Sequence, residues 1–163
     1  MFGDEKSIDV SRSVSVKLSS TTNGGNKNMN VNGSITLVIF EAKPPLGKKW
    51  RIARMVGYLE GANPFSAEKF ADLVALTNGV EISINGQIIT TWKTNRDIAS
   101  SIPALSAPKA LGKEDRTLAG VWNIQEAFGN SILVDDLNGI QFKIKDNLST
   151  ITAFYVTVQG QEV

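Results

Sequence analysis

Three aspartates lie beside turn-like segments and are the side chains best suited to bind a cation or exchange protons. Asp135 and Asp136 are adjacent in the chain, and Asp146 adjoins a later turn. A calcium loop needs several oxygen ligands in a tight spacing with a specifying glycine, and this pattern is missing. Aspartate beside a hairpin turn commonly caps backbone amides. We therefore predict structural roles for all three and no metal site.

A group of cations lies between Glu41 and Glu60, with Trp50 among them. Its members are Lys43, Lys48, Lys49, Arg51 and Arg54. Such a group could bind nucleic acid, sugar or a negatively charged protein. The interpretation we favour is a solvated strand face with Trp50 turned into the core. Trp92 and Trp122 also lie in strand-like segments, so we assign them to the core rather than to a stacking platform.

The chain has 163 residues and contains neither histidine nor cysteine. Ser-His-Asp and Cys-His nucleophiles, histidine proton shuttles and Cys/His zinc sites are therefore excluded. The run Asn23-Gly24-Gly25-Asn26 is not followed by the Gly-Lys-Ser/Thr of a phosphate-binding loop. A hydrolase that uses only carboxylates stays open, since it needs two carboxyl groups about 5–10 Å apart that a sequence cannot place. We expect no enzyme activity and no cofactor.

Seventeen basic and sixteen acidic residues give a net charge of +1, which provides no general attraction to nucleic acid or to an anionic membrane. No apolar run approaches the roughly 18 residues of a membrane span. The first residues lack the basic and then apolar order of a signal peptide. We expect a protein that is made in the cytoplasm and binds neither nucleic acid nor membrane.

The elements that must position these side chains are mostly strands. Apolar patterns predict strands at residues 8–18, 34–40, 50–59, 120–124, 131–134, 140–144 and 150–158. The last is apolar on both faces, which predicts a central position. Trp50, Ile52, Val56 and Tyr58 share one parity, which predicts that they share one face of their strand.

Shorter signals complete the expected architecture. Asn85-Gly86 predicts a two-residue hairpin over residues 81–92, because a type I′ turn needs a positive φ at both positions. Ser66 could cap a short helix over residues 67–73. Residues 94–119 lack a clear period and predict a long loop, which we expect to contact a partner.

The first thirty residues differ in pattern from the rest of the chain. A strand-like segment is followed by a polar Gly/Asn-rich run over residues 19–30, which predicts an N-terminal arm over 1–30 and a sandwich body over 31–163. A strand-bearing arm can add to the sheet edge of a neighbour. The residues expected to contact a partner are Ile8, Val10, Val14 and Val16 in the arm and Lys48, Lys49 and Arg51 in the body.

Several segments resemble small structural proteins of tailed bacteriophage virions. They are residues 50–52 (WRI), 69–80 (KFADLVALTNGV), 119–124 (AGVWNI), 142–149 (FKIKDNLS) and 154–160 (FYVTVQG). The resemblance extends over roughly residues 50–160, leaves the N-terminal thirty residues uncovered, and rests on turn and strand signatures rather than on a catalytic fingerprint.

The resemblance implies an all-β fold, a jelly-roll-like antiparallel β-sandwich with one short helix. It further implies a capsid decoration (cement) protein that binds the major capsid protein on the outer surface of the head. Such a protein is often a trimer, is made in the host cytoplasm and stabilises contacts between capsid subunits. The alternative is a head-fibre, tail or baseplate component that touches the host or a glycan, which exposed Trp50 or Trp92 would favour.

Overall fold

A computed structural model describes residues 10–101, 115–124 and 129–163, which form two antiparallel sheets with a shared core. The elements in chain order are β1 (Ser13–Lys17), β2 (Val38–Ala42), β3 (Trp50–Glu60), β4 (Val80–Ile84), β5 (Gln87–Trp92), α1 (Asn95–Ser101), β6 (Thr117–Asn123), β7 (Ile132–Val134), β8 (Ile140–Ile144) and β9 (Ala153–Glu162).

The strand order is that of a jelly roll. One sheet runs β1-β9-β3-β6, with β7 continuing beside β3, and the other runs β2-β8-β4-β5. The pairs β1–β9, β2–β8, β3–β6/β7 and β4–β5 are nested like the two arms of one long hairpin. Rolling that hairpin up brings β9 against β3 and β8 against β4. The predicted all-β sandwich is confirmed, and β9 is central as its two apolar faces indicated.

Aromatic side chains from both sheets fill the space between them. Trp50, Trp92 and Trp122 are all buried. The ring of Trp92 lies edge-on to Phe142 with centroids 5.5 Å apart, and 6.5 Å from the ring of Trp122. Edge-to-face packing of this kind adds to the free energy of simple burial. The assignment of the tryptophans to the core is confirmed.

A β-bulge at Ala53 changes which side chains of β3 face the core. Ile52 pairs with Gly160 and Arg54 with Gln159, so Ala53 is the extra residue. One inserted residue exchanges the two faces of a strand. Trp50 and Ile52 point inward before the bulge, whereas Met55 and Leu59 point inward after it. The prediction that Val56 and Tyr58 share a face with Trp50 and Ile52 is therefore wrong.

The start of β2 also differs from the sequence pattern. The strand predicted at residues 34–40 begins only at Val38, and Ile35 is 86% exposed. The carboxamide oxygen of Asn32 accepts hydrogen bonds from the backbone N–H and the hydroxyl of Ser34, at 3.0 and 2.6 Å. This local turn competes with strand pairing and delays the start of β2.

The helix predicted at residues 67–73 is a tight turn instead. Phe70 and Leu73 exchange two backbone hydrogen bonds of 2.9–3.0 Å, and Ala71 between them has a φ of 51°. The fully buried Asn95 side chain holds this turn: its oxygen accepts from Ala71 N, and its amide donates to the carbonyls of Ser66 and Ala71. These distant hydrogen bonds override the local helical pattern.

The long loop predicted at residues 94–119 is also partly wrong. Its first part is α1 and its last residues belong to β6, while residues 102–114 lie outside the described residues. Thr94 and Asp97 explain the start of α1. Asp97 N donates to Thr94 Oγ1 at 3.2 Å, and Thr94 N donates to Asp97 Oδ2 at 3.0 Å, which is a reciprocal cap.

Residues 13–30 of the predicted arm pack as part of the sandwich. β1 pairs with β9 along its whole length, and Leu18 and Met29 are fully buried. Their backbone N–H groups donate to the carbonyls of Val156 and Phe154, at 2.9 and 2.8 Å. The division at residue 30 is corrected accordingly, because buried side chains and long-range hydrogen bonds cross it. Residues 1–9 lie outside the described residues.

Candidate functional site

Two turns at one end of the sandwich carry exposed leucines. The first connects β2 to β3, where Lys48 N donates to the carbonyl of Pro45 at 2.9 Å. Gly47 has a φ of 78°, as the third residue of a type II turn requires. Leu46 occupies the apex and is 95% exposed.

The second turn connects β7 to β8. The Asp135 carboxylate accepts the backbone N–H of Asn138 at 2.9 Å and that of Leu137 at 3.0 Å. The hydrogen bond from Asn138 N–H is the largest cause that holds the pKa of Asp135 below its ordinary value. Leu137 lies at the apex and is 78% exposed. The predicted capping role of Asp135 is confirmed.

Side chains join the two turns into one rigid unit. Gly47 N donates to Asp136 Oδ2 at 2.6 Å, which links the first turn to the second. Asn85, in the β4–β5 turn, accepts from Asp135 N at 2.9 Å and donates to the Leu133 carbonyl at 2.8 Å. We call Leu46, Leu137 and the turns that carry them the leucine end. Both leucines are held facing solvent without packing of their own.

The lysines of this end each lie close to a carboxylate. Lys43 Nζ is 3.8 Å from Glu41 and Lys48 Nζ is 3.4 Å from Glu162. Lys49 lies near enough to Asp135 to lower the pKa of that carboxyl. The basic cluster of the sequence is therefore divided: its lysines have acidic neighbours at the leucine end, whereas Arg51 and Arg54 lie on the open face of the five-stranded sheet.

The predicted partner-contact residues fall into three groups. Lys48, Lys49 and Arg51 are exposed. Val14 and Val16 pack against the core and are only partly accessible. Ile8 and the side chain of Val10 lie outside the described residues. The structure thus exposes the body residues, with the lysines at the leucine end and Arg51 on the five-stranded sheet, and turns the described valines of the arm inward.

Sequence reasoning missed both leucines of this site. Each lies at the centre of a turn motif, Pro45-Leu46-Gly47 or Asp136-Leu137-Asn138. A residue at a turn apex has no sheet face to pack on, so a large apolar side chain between turn residues was the available signal.

The third aspartate of the sequence analysis lies at the opposite end of β8. Asp146 accepts backbone N–H groups from Thr77, Asn78 and Gly79, the shortest being 2.7 Å from Gly79. Its capping role is confirmed, although it caps a distant segment rather than its own turn. Over the described ranges, no three His, Cys, Asp or Glu side chains are grouped as a metal site would need.

Comparison with protein-family models, with curated proteins and with solved structures finds no match to this chain. In the part of the chain that the structure describes, no helix is both long enough and apolar enough to cross a membrane.

Proposed function

We propose that this chain is a non-enzymatic bacteriophage virion protein that decorates the outer capsid surface and attaches through its leucine end. The observation that carries the proposal is the pair of linked turns that hold Leu46 and Leu137 in solvent. Exposed leucines fixed on a rigid support favour a partner that buries them.

The energetics suit repeated attachment to a shell. Fully burying a leucine side chain contributes about 1.5–3 kcal/mol. Turns that are already hydrogen-bonded lose little conformational entropy on binding. If the protein is a trimer, three such ends engage together, and multivalency turns a modest contact into firm attachment.

Two further observations support the same proposal. Residues 50–160 resemble virion structural proteins, and the jelly roll recurs in viral capsid proteins. A jelly roll also occurs in lectins and cupins, so the fold alone does not decide the function. The proposed partner is the major capsid protein, with an apolar depression at the point of contact.

Two alternative functions, a glycan-binding fibre or baseplate protein and a hydrolase that uses carboxylates, are less well supported. Trp50 and Trp92 are buried, so neither provides the exposed stacking surface that would have favoured a fibre or baseplate protein with a glycan site. Asp135, Asp136 and Asp146 accept backbone N–H groups, so these aspartates are used as caps rather than as a free acid pair.

The test is co-sedimentation of the full chain with heads that lack it. Changing Leu46→Ser and Leu137→Ser together should weaken binding about 100-fold or more, since each tenfold step corresponds to about 1.4 kcal/mol. Val74→Ser is the matched control, because Val74 is 81% exposed but lies near Asp146 at the other end of β8. The control should bind like the unchanged protein.

Unchanged binding of the double variant, or equal loss in the control, would contradict attachment through the leucine end. The copy number in purified particles tests the wider proposal. Hundreds of copies relative to the major capsid protein support decoration, whereas a dozen or fewer support a tail or portal-side component. Sedimentation of the purified protein tests whether it is a trimer.

A further inference from the structure

The outward face of the five-stranded sheet brings two arginines together through the bulge at Ala53. Residues three apart on a regular strand point to opposite faces. The extra residue of the bulge instead turns Arg51 and Arg54 to the same side, and both are exposed. We call the surrounding depression the arginine face. Its polar lining residues are Ser13, Arg51, Arg54, Asn130, Ser131, Gln159 and Gln161.

The close approach of β9 to β3 at this point requires a glycine. A Cβ atom at Gly160 would overlap the backbone carbonyl of Arg51 and come within 2.9 Å of the Ile52 Cα. Gly160 pairs with Ile52 immediately before the bulge. The shape of the arginine face therefore depends on the backbone and not on flexible side chains alone.

Both arginines are exposed to solvent. Neither lies within ion-pair distance of a carboxylate in the described ranges. Arg54 Nε donates to Gln159 Oε1 at 2.6 Å, and Gln159 Nε2 in turn donates to Ser15 Oγ at 3.4 Å. This row of hydrogen bonds orients Arg54. Among the described residues, Gln159 is the one side-chain partner of the Arg54 guanidinium, and the Arg51 guanidinium has none.

The lining groups determine the chemistry of the ligand. The depression has a volume of about 530 Å³, within the usual range for small-molecule sites. Arginine binds carboxylates through two parallel hydrogen bonds. Carboxamides and hydroxyls around the arginines can pair with the hydroxyl groups of a sugar. The combination fits a ligand with one negative group and several hydroxyls.

A peptide fits this surface less well. β3 is paired with β9 on one side and with β6 and β7 on the other, so its main chain offers no edge to an added strand. We propose that the arginine face binds an acidic saccharide, with a sugar carboxylate between Arg51 and Arg54. This site is independent of the leucine end and of the proposed capsid attachment.

The test is calorimetric titration of the full chain with an oligogalacturonate, with a neutral oligosaccharide of the same length and with an oligoglutamate of the same charge. The oligogalacturonate should bind at least tenfold more tightly than either control ligand. Arg51→Gln and Arg54→Gln should each weaken it about tenfold or more, because a charge-assisted hydrogen bond contributes about 1.5–3 kcal/mol. Lys27→Gln removes an equal charge from a distant exposed position and should change nothing.

A second variant separates specific binding from general charge attraction. Arg51→Lys keeps the charge but loses the two-pronged geometry, so its affinity should lie between those of the unchanged protein and Arg51→Gln. Equal binding of the neutral sugar, equal or tighter binding of oligoglutamate, or no measurable binding of the galacturonate would each overturn the proposal. Equal weakening by Lys27→Gln would overturn it as well.

Discussion

The outer faces of the two sheets differ in whether their charged side chains are paired. On the four-stranded sheet, Glu81 of β4 lies between Lys145 and Lys143, with Nζ–Oε distances of 2.7 and 3.5 Å. On the five-stranded sheet, Arg51 and Arg54 are exposed without an acidic neighbour in the described ranges. Glu81 and its lysines on the four-stranded sheet are paired with one another, whereas the two arginines on the five-stranded sheet are exposed to solvent.

This difference shows why the net charge of the chain says little about its binding surfaces. The strands of the five-stranded sheet contain Lys17, Arg51 and Arg54, the four-stranded sheet has Lys143 in β8 and Lys145 directly after it, and the total charge is only +1. What separates the faces is the register that places Glu81 opposite Lys143 and the bulge that places two arginines side by side. A paired cation stabilises its own fold, whereas an unpaired one is free to bind a partner.

The largest expected effect tests whether β1 is a fixed edge of the five-stranded sheet. Leu18 directly follows β1 and is fully buried. Leu18→Ala should lower the free energy of unfolding by about 3 kcal/mol, through lost burial and the cavity left behind. Leu137→Ala, at an exposed site, should change it by less than about 0.5 kcal/mol. Urea unfolding measures both. A negligible effect of Leu18→Ala would support a separate N-terminal arm and would mean that β1 is not a fixed edge strand of the five-stranded sheet.

The next effect concerns the bulge that makes the arginine face. Gly160→Ala should lower the free energy of unfolding by about 2–3 kcal/mol, because the new methyl group meets backbone that cannot move aside cheaply. Gly57→Ala, on the strand next to β9, is the matched control, since a Cβ there has no atom within 4 Å. Similar midpoints for the two variants in urea would mean that β9 can shift, and that the bulge is not fixed by this contact.

The smallest expected change in the free energy of unfolding concerns Glu81 and its two lysines on the four-stranded sheet, and it depends on pH. The hydrogen bond from Lys145, followed by the charges of both lysines, lowers the pKa of Glu81 from its ordinary 4.5. A lowered carboxyl pKa gives stability that is complete above the ordinary value and is lost as pH falls through the folded-state pKa. Glu81→Gln should therefore lower the free energy of unfolding by about 1 kcal/mol at pH 7.

Below the lowered pKa of Glu81, the variant and the unchanged protein should become equally stable. Urea unfolding at a series of pH values from 7 to 2 measures this convergence. A gap that stays constant over the whole range would show that the pair does not act through charge. Arg51→Gln should leave the stability at pH 7 unchanged, because no carboxylate in the described ranges lies within ion-pair distance of its guanidinium.

Local signals predicted those parts of the fold that are fixed by local geometry. Asn85-Gly86 correctly predicted the β4–β5 hairpin, and both residues have the positive φ values that the turn needs, 52° and 80°. The same reasoning could have found α1, since Thr94 and Asp97 have the spacing of a reciprocal cap. Turns and caps depend on residues close in sequence, so the sequence contains the information.

Features set by distant partners could not be predicted in this way. The Asn-rich segment after β1 looked like a free linker, yet Asn28 accepts from Phe154 N at 2.9 Å and Asn30 donates to the Ile151 carbonyl at 3.2 Å. The bulge at Ala53 could not be predicted from the sequence, because the residue that pairs beside it, Gly160, is remote in sequence. The candidate site depends on both kinds of information. The sequence indicates its two turns, but it does not show that a hydrogen bond links them.

The nested strand pairing also sets an order for folding. β4 and β5 are joined by two residues, whereas Ser15 of β1 and Gln159 of β9 are 144 residues apart. The loop-closure entropy of the first pair is small and that of the last pair is the largest in the sandwich. We expect the hairpin to form early and β1 to dock last, because during synthesis β1 is made first and has to wait for β9, the strand with which it pairs. In that interval the nascent chain is most open to mispairing with a neighbouring copy.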